Sequence, residues 1–379
     1  MKEGWEYIAL SSVCKVQNGF AFNSKLFNES NNGLPLIRIR DIKRGYSLTY
    51  TSEICSDEFF VEDGDMLIGM DGDFNIGEWK GGHALLNQRV CKLIPSEKIL
   101  AKFIFYFIPE ALQKINDKTA FSTVKHLSSK QVNAILLPNL PLSEQQSIVD
   151  YLDSAFAKID AMKANAEKAL IEAKALFQAS LKEMLEPKEG WEEKYLKDIA
   201  EYSIGLTYKP TDVCDNGTIV LRSSNIQEGK LDLNDIVKVN TSIKEKLYVQ
   251  CGDILMCSRN GSARLVGKVC IIPELKERMT YGTFMMVIRS AYNPLLYHYF
   301  DTDLFRRQIK HGEANMINQI TRYMLDEVKL NLPPIKEQQS IVETLDSLKS
   351  KVDRLQENYE KISQECDALK QAILRQVFE

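Results

Sequence analysis

Residues 144–149 read EQQSIV, and residues 337–342 read EQQSIV again. Each copy follows a proline-bearing segment, NLPLS before the first and NLPPIK before the second, and each precedes a leucine-aspartate pair, Leu152-Asp153 and Leu345-Asp346. An identical hexapeptide in identical surroundings marks an internal repeat, which has to be tested first because a missed repeat misassigns the fold. Outward from it the match continues. KEGWE stands at 2–6 and at 188–192, followed by Leu10 and Leu196 and then by Gly19 and Gly205, all at a spacing of 186. IRIRDIKRG, ending at Gly45, parallels LRSSNIQEG, ending at Gly229, and VEDGDMLIG at 61–69 parallels VQCGDILMC at 249–257. The offset drifts to 184, then 188, then 193, as loop insertions require. Singly, Trp5, Trp191, Gly64 and Gly252 read only as core filler or turn residues. Their shared order makes the two halves copies of one design.

After each hexapeptide the sequence changes character. No proline or glycine occurs over 142–186 or over 335–379, and such stretches predict two uninterrupted helices. In the second, Ile341, Leu345, Leu348, Val352, Leu355, Tyr359, Ile362, Cys366, Leu369 and Ile373 alternate steps of four and three, the pattern of a coiled-coil seam. The positions 193 earlier are Ile148, Leu152, Ala155, Ile159, Met162, Ala166, Ala169, Ala173 and Leu176. Alanines opposite large residues let the two helices approach closely and pair antiparallel. Ser143 is expected to cap the first helix through the Gln146 amide, with Gln146 reaching back. Glu144 and Glu337 suit the positive end of the helix dipole. Helices of about 40 residues run roughly 60 Å, longer than a compact domain needs.

The parts at 1–142 and 188–335 mix short strands with a later helix, giving a mixed α/β class. Strands are expected at 36–39, 66–68, 90–94, 220–221, 254–256, 269–272 and 285–288, and helices at 102–115 and 295–310. Four segments result: a first domain at 1–142, a long helix at 143–187, a second domain at 188–335 and a second long helix at 336–379. Composition, 44% hydrophobic and 26% charged, is that of a globular chain. The opening MKEGWEYIAL has no signal-peptide core, and the longest strongly apolar run, 103–108, is too short to cross a bilayer. A cytoplasmic protein without membrane partners is expected. Its eight cysteines, at 14, 55, 91, 214, 251, 257, 270 and 366, form no CxxC pair and read as reduced thiols.

The chemistry an enzyme needs is missing. There is no phosphate-cradling Gly-rich loop ending in Lys-Ser or Lys-Thr and no Asn-Pro-Pro-aromatic signature. His83, His126, His298 and His311 sit in unrelated settings, which gives neither a triad nor a metal cluster. Asp63, Asp65, Asp71 and Asp73 resemble metal carboxylates, but Cys251 and Arg259 replace two of them in the second copy, so no metal is expected.

Where the two frames agree, certain loops diverge in polar character: MDGDFNIGEWKGGHALLNQR against SRNGSARLVGKV and TYGTF, and STVKH at 122–126 against MINQI at 316–320. A shared frame with divergent polar loops suits two readers of different base sequences, because each base edge presents its own donors and acceptors. Arg89, Arg259 and Arg264 suit guanine; Asn87, Gln88, Asn260, Asn318 and Gln319 suit adenine. Asp71, Asp73, Lys80, His83, Lys125, His126, Ser262, Lys268, Tyr281 and Thr283 complete the candidate DNA-binding set. Net charge works against this chain gripping DNA alone. It is −4 overall, with 16 basic and 16 acidic groups in 1–142, 20 and 19 in 188–335, 5 and 8 in 143–187, and 7 and 9 in 336–379. Non-specific attraction grows with the phosphates neutralised, so help from partners is expected.

Together the GWE opening, the L-P-x-x-EQQ-x-I entry to a long helix, the Gly-Asp-x-Leu segment and their duplication resemble the specificity subunit of type I restriction-modification enzymes over essentially the whole chain. The resemblance implies two α/β target-recognition domains held apart by antiparallel coiled-coil helices with pseudo-twofold symmetry. It implies a non-catalytic chain reading a bipartite double-stranded DNA target, one domain per half-site. It also implies two methyltransferase subunits that hold S-adenosylmethionine, this chain carrying no cofactor, and translocase-nuclease subunits in the full complex. Glu144, Gln145, Gln146, Glu337, Gln338 and Gln339 are then candidates for partner docking, beside a simpler role as a good helix start. The competing expectation is a stand-alone coiled-coil adaptor without a methyltransferase.

Overall fold

The computed structural model describes residues 4–118, 125–309 and 319–379. Two helices of 44 residues, Leu142–Leu185 and Ile335–Phe378, follow the two hexapeptide entries. Both start on a proline carbonyl: Pro141 O accepts the Glu144 and Gln145 N–H groups at 3.0 Å, and Pro334 O accepts those of Glu337 and Gln338 at 2.8 and 3.0 Å. Leu142 is already helical, so Ser143 lies inside the first turn and the expected serine cap does not form. A first-turn glutamine instead ties each helix start to the segment before it: Gln145 Nε2 donates to Leu140 O at 2.8 Å, and Gln338 Nε2 donates to Pro333 O at 2.6 Å.

The chain divides into two compact units, 1–165 with 361–379, and 166–360. In the first, the helices run antiparallel, with Lys370 Nζ 2.6 Å from Asp160, Lys163 Nζ 3.3 Å from Asp367, and Cys366 Sγ 3.8 Å from Ile159 O. In the second, Lys174 Nζ meets Gln356 at 2.7 Å, and Phe177, Leu181, Ile341, Leu345 and Val352 share one core. The buried stripe differs from the expected seam in one column. Leu152 and Ile159 are buried and Ala166 and Ala173 half-buried, but Met162 and Leu176 are 59% and 60% exposed, and Ala169 faces solvent too. Lys163, Leu170 and Phe177 stand in their places, an i+4 step where i+3 was expected. On the other helix Ile341, Leu345, Val352 and Cys366 are buried, Leu348, Leu355, Tyr359, Ile362 and Ile373 are half-buried, and Leu369 is 47% exposed while Leu374 is buried. On the first helix the covered positions 159, 163, 166, 170, 173 and 177 keep the seven-residue repeat, so the period is as expected and only the column is displaced.

Each unit carries the same four-stranded antiparallel sheet. The first runs Cys14–Asn18, Val90–Pro95, Met66–Gly69, Ile76–Glu78; the second runs Glu201–Ile204, Met285–Arg289, Ile254–Cys257, Val269–Ile271. The central apolar runs Met66–Gly69 and Ile254–Cys257 are buried throughout, which a strand covered on both faces demands. Leu34–Ile37 pairs parallel with Ala84–Leu86, as Val213–Leu221 does with Met279–Tyr281. Tyr7–Ala9 pairs with Leu136–Pro138, and Glu192–Tyr195 with Lys329–Leu332, which returns each domain to its long helix. The recurrence of Gly19 and Gly205 has a steric cause. A Cβ at either would sit 2.2 Å from a carbonyl oxygen, that of Asn87 or of Tyr281.

Two expectations shift. Ile39 leaves the strand and opens a one-turn helix, Ile39–Ile42, because the Asp41 carboxylate accepts the Arg38 N–H at 2.9 Å and turns the chain. The helix expected over 295–310 is two helices, Asn293–Tyr299 and Asp303–Gln308, because the Thr302 hydroxyl accepts the Phe305 N–H at 3.2 Å and caps a new start; Lys310 lies outside the described residues. The expectation over 102–115 falls within Ala101–Lys118. All eight cysteines are free, and burial pushes the thiols of Cys91 and Cys14 up to about 12 and about 11. Among the described residues no helix is long and apolar enough to cross a membrane, and no group of three or more His, Cys, Asp or Glu is placed to hold a metal ion.

Candidate nucleic-acid interface

In the first unit the backbone beyond strand Met66–Gly69 is clasped from both sides. Met70 N–H donates to Arg89 O at 3.0 Å, Leu127 N–H to Met70 O at 2.7 Å, and Gly72 N–H to Lys125 O at 3.1 Å, with Asp71 bridged to His126. The Asp71 carboxylate, mostly covered, holds two exposed side chains: Arg89 Nη1 at 3.1 Å and His126 Nδ1 at 2.6 Å. Asp71 therefore organises Arg89 and His126. The second unit clasps the equivalent backbone in the same way: Ser258 and Arg259 N–H both donate to Phe284 O at 3.0 Å, Ile320 N–H donates to Ser258 O at 2.7 Å, and Arg259 bridges Gln319. Here a guanidinium, 5.4 Å from the exposed Phe284 ring, stands where the other unit has a carboxylate.

Beside Arg89 opens a cleft of about 500 Å³, lined by Arg38, Arg40, Lys43, Asp73, Asn75 and Asn87 among others. Four basic side chains face one acid, which gives this cleft an anion-attracting field. Arg38, Arg40 and Lys43 were not expected. They project from the Ile39–Ile42 turn, which is fixed by the fully buried Asp41 through Arg38 N–H and Arg44. The duplicate turn is fixed by the buried Asn225, which accepts the Arg222 N–H and donates to the Asp232 and Asp235 carbonyls, both at 2.8 Å. There Ser224 replaces Arg40, Gln227 replaces Lys43, and Arg222 is paired with Asp235 at 2.9 Å. The exchange of basic for neutral residues was visible in IRIRDIKRG against LRSSNIQEG, but only the fold brings it next to Arg89.

The remaining expected residues scatter. Asn87 is nearly buried and lines the cleft with Asp73; Gln88 is exposed, its N–H held by Phe20 O at 2.9 Å. Lys80 packs on Gly45 and His83 Nδ1 pairs with Glu62 at 2.5 Å, neither lining the cleft. Lys125 is half-buried. Asn260 donates to Ser223 Oγ at 3.1 Å and accepts the Ser262 N–H at 3.0 Å, and Thr283 is exposed. Arg264 and Lys268 line a separate 210 Å³ cavity with Tyr297 and His298. Tyr281 corrects the expectation: it is 0% exposed and bonded to the Ser203 hydroxyl, so it belongs to the core and cannot meet a base. Asn318 lies outside the described residues.

The hexapeptides also sort themselves. Gln145 is 2% exposed, its side chain bonded to Leu100 N–H at 2.9 Å and to the Lys98 and Leu140 carbonyls, so it is a structural latch and not a docking residue. Gln338 is half-buried on Pro333 O. Glu337 accepts Trp191 Nε1–H at 3.1 Å with Lys188 3.8 Å away, which ties the GWE opening to the second hexapeptide. Glu144, Gln146 and Gln339 face solvent, Gln146 donating to Asp150 at 2.7 Å.

Comparison with known proteins agrees with this twofold plan. The type I restriction modification DNA specificity domain matches residues 2–173 and again 188–364. The chain is 30% identical over 413 aligned residues to the type I restriction enzyme EcoBI specificity subunit of Escherichia coli, covering 99% of this chain and 86% of that one. It is 22% identical over 385 residues to the MjaVIII specificity subunit of Methanocaldococcus jannaschii, covering 95% and 89%. Its fold is similar to a chain from a structure of type I R-M system assembly and conformational transition, with a TM-score of 0.74 at 19% identity over 100% and 98% of the two chains. It is also similar to the HsdS subunit from Thermoanaerobacter tengcongensis, with a TM-score of 0.54 at 17% identity over 100% and 97%. With the family's domain matched once in each half, the chain belongs to the type I restriction-modification specificity subunits, which confer DNA sequence specificity and are not themselves catalytic.

Proposed function

We propose that each half reads one half of a bipartite double-stranded DNA target, and that the chain docks two methyltransferase subunits, which hold S-adenosylmethionine, and translocase-nuclease subunits in the full complex. The observation that carries this reading is one backbone clasp presenting different chemistry: Asp71 with Arg89 and His126 in the first unit, Arg259 with Gln319 and Phe284 in the second. Two readers of unlike sequences need such divergence on a fixed frame, since specificity comes from donors and acceptors matched to base edges. The exposed Glu144, Gln146 and Gln339 remain the docking candidates at the helix entries. The test is to replace residues 188–335 with the corresponding part of another specificity subunit, express it with the methyltransferase and sequence the methylome. One half of the methylated target should change while the other persists; a change in both halves, or in neither, ends the reading. A chain that fails to co-purify with a methyltransferase points instead to a stand-alone adaptor.

A further inference from the structure

The leucine-aspartate pair after each hexapeptide takes no part in the interface above. Leu152 and Leu345 are fully buried, and in both units the adjacent aspartate meets a polar side chain on the first helix after the sheet. Lys102 Nζ donates to Asp153 Oδ2 at 2.6 Å and the Tyr106 hydroxyl donates to Oδ1. His298 Nε2 lies 2.7 Å from Asp346 Oδ1. Tyr106 and His298 are equivalent positions. The helices carrying them align with Phe103 on Leu295, Ile104 on Leu296 and Ile108 on Phe300, all buried. Neighbouring contacts are aromatic: Phe156 edge-on to Tyr106 at 5.5 Å, Phe177 edge-on to His298 at 6.5 Å. Apolar burial is non-directional, whereas a hydrogen bond to a carboxylate oxygen fixes an angle.

We propose that Asp153 and Asp346 are positioning residues, each setting the rotation of its recognition domain on the adjoining long-helix segment, and that His298 makes this setting sensitive to acidity in the second unit alone. The inference rests on the reading that each domain faces a DNA half-site. A domain free to rotate by a few degrees on its support loses register with the base edges.

The chemistry of the two latches differs. Burial lowers the His298 pKa below its ordinary value and outweighs the raising effect of Asp346 and Asp301; Lys349 adds to the lowering. Asp346 and Lys349 face His298 from the helix Ile335–Phe378, Asp301 from the turn after its own helix, and Tyr297 stands beside it. The ring is therefore neutral near pH 7, with Nε2–H donating to Asp346. A His298 displaced into water takes up a proton more readily than the buried one, so the displaced state gains as pH falls below about 6.5, and above that pH the balance is flat. Tyr106 behaves otherwise: burial first, and then Asp153, push its hydroxyl further above its ordinary value, so it stays protonated at every working pH. Burial alone would raise Asp153, but the hydrogen bonds from Lys102 and Tyr106 hold its carboxyl below the usual range.

The full chain is assembled with its methyltransferase, and methylation is read on a library randomised over the target, at about pH 7.5 and about pH 5.8, on either side of the ordinary histidine value. Asp153→Ala and Asp346→Ala should each relax discrimination about tenfold at one half-site, a different one in each variant, because a hydrogen bond to a charged group is lost. Asp346→Asn keeps an acceptor oxygen and should recover most of that discrimination. His298→Gln keeps an N–H donor but cannot titrate. It should match the wild type at the higher pH and hold its discrimination at the lower, where the wild type loses it in the half touched by Asp346→Ala. Unchanged discrimination in both alanine variants, relaxation of both halves together, or Asp346→Asn no better than alanine overturns the latch. His298→Gln tracking the wild type in acid overturns its titration. Should the alanine variants fail to fold, Asp346→Asn and His298→Gln decide. A wild-type complex without any bipartite preference removes the functional reading, and the latch falls with it.

Discussion

Asp71 pairs with Arg89 and Arg40 lines the cleft beside Arg89, and the two should behave differently when removed. Asp71 holds Arg89 and His126 in place, so Asp71→Asn should alter the base preference of one half-site while leaving the salt dependence of binding nearly unchanged. Arg40, exposed on the Ile39–Ile42 turn, is placed to meet phosphate. Arg40→Ala should weaken binding evenly across sequences and lower the slope of log K against log salt by about one. Anisotropy titrations of the complex at several salt concentrations separate the two outcomes. Arg89 was legible in the sequence because the loops around it diverge between the copies. Arg38, Arg40 and Lys43 were not, since a basic residue in a turn is usually only solvated and nothing local says what faces it. Tyr281 was misplaced for a related reason. Strand side chains alternate between faces, and the loop contrast alone does not show that this ring points inward toward Ser203.

The long helices were the most legible elements, because proline and glycine vanish over both stretches and apolar residues recur with helical period. The facing column was less so. Leu152 and Met162 belong to the same expected seam, yet one is buried and the other solvated. Leu152→Ala should therefore cost about 2–5 kcal/mol of unfolding free energy. Met162→Ala should stay within about 0.5 kcal/mol. Urea midpoints at constant m-value measure both. Sequence periodicity gave the correct period and an incorrect phase: with alanines at 155, 166, 169 and 173, steps of three and of four score nearly alike, and only packing against the partner helix separates them. The serine cap failed similarly, since a proline carbonyl two residues earlier had already satisfied the first free amides.

Across the whole chain the two recognition parts are close to electroneutral, and the acidic excess lies in the long helices. The purified chain alone should bind DNA no better than the non-specific range of about 10⁻⁴–10⁻⁶ M. Addition of methyltransferase subunits should bring specific binding to about 10⁻⁸ M or tighter, measured at fixed salt. A tight, sequence-selective complex of the isolated chain would contradict this. The duplication itself was plain in the sequence because several of its identical residues are locked to backbone: Gly19 and Gly205 under a carbonyl, Gln145 and Gln338 on a proline-bearing turn. The first unit is not contiguous, since Phe378 and Leu374 close its core over Phe103, while residues 166–360 build the other unit in between. A ribosome adding about 5–20 residues per second therefore exposes this half for roughly 10–40 s before the helical segment that seals it emerges, and a chaperone has that interval in which to shield Phe103 and Phe107.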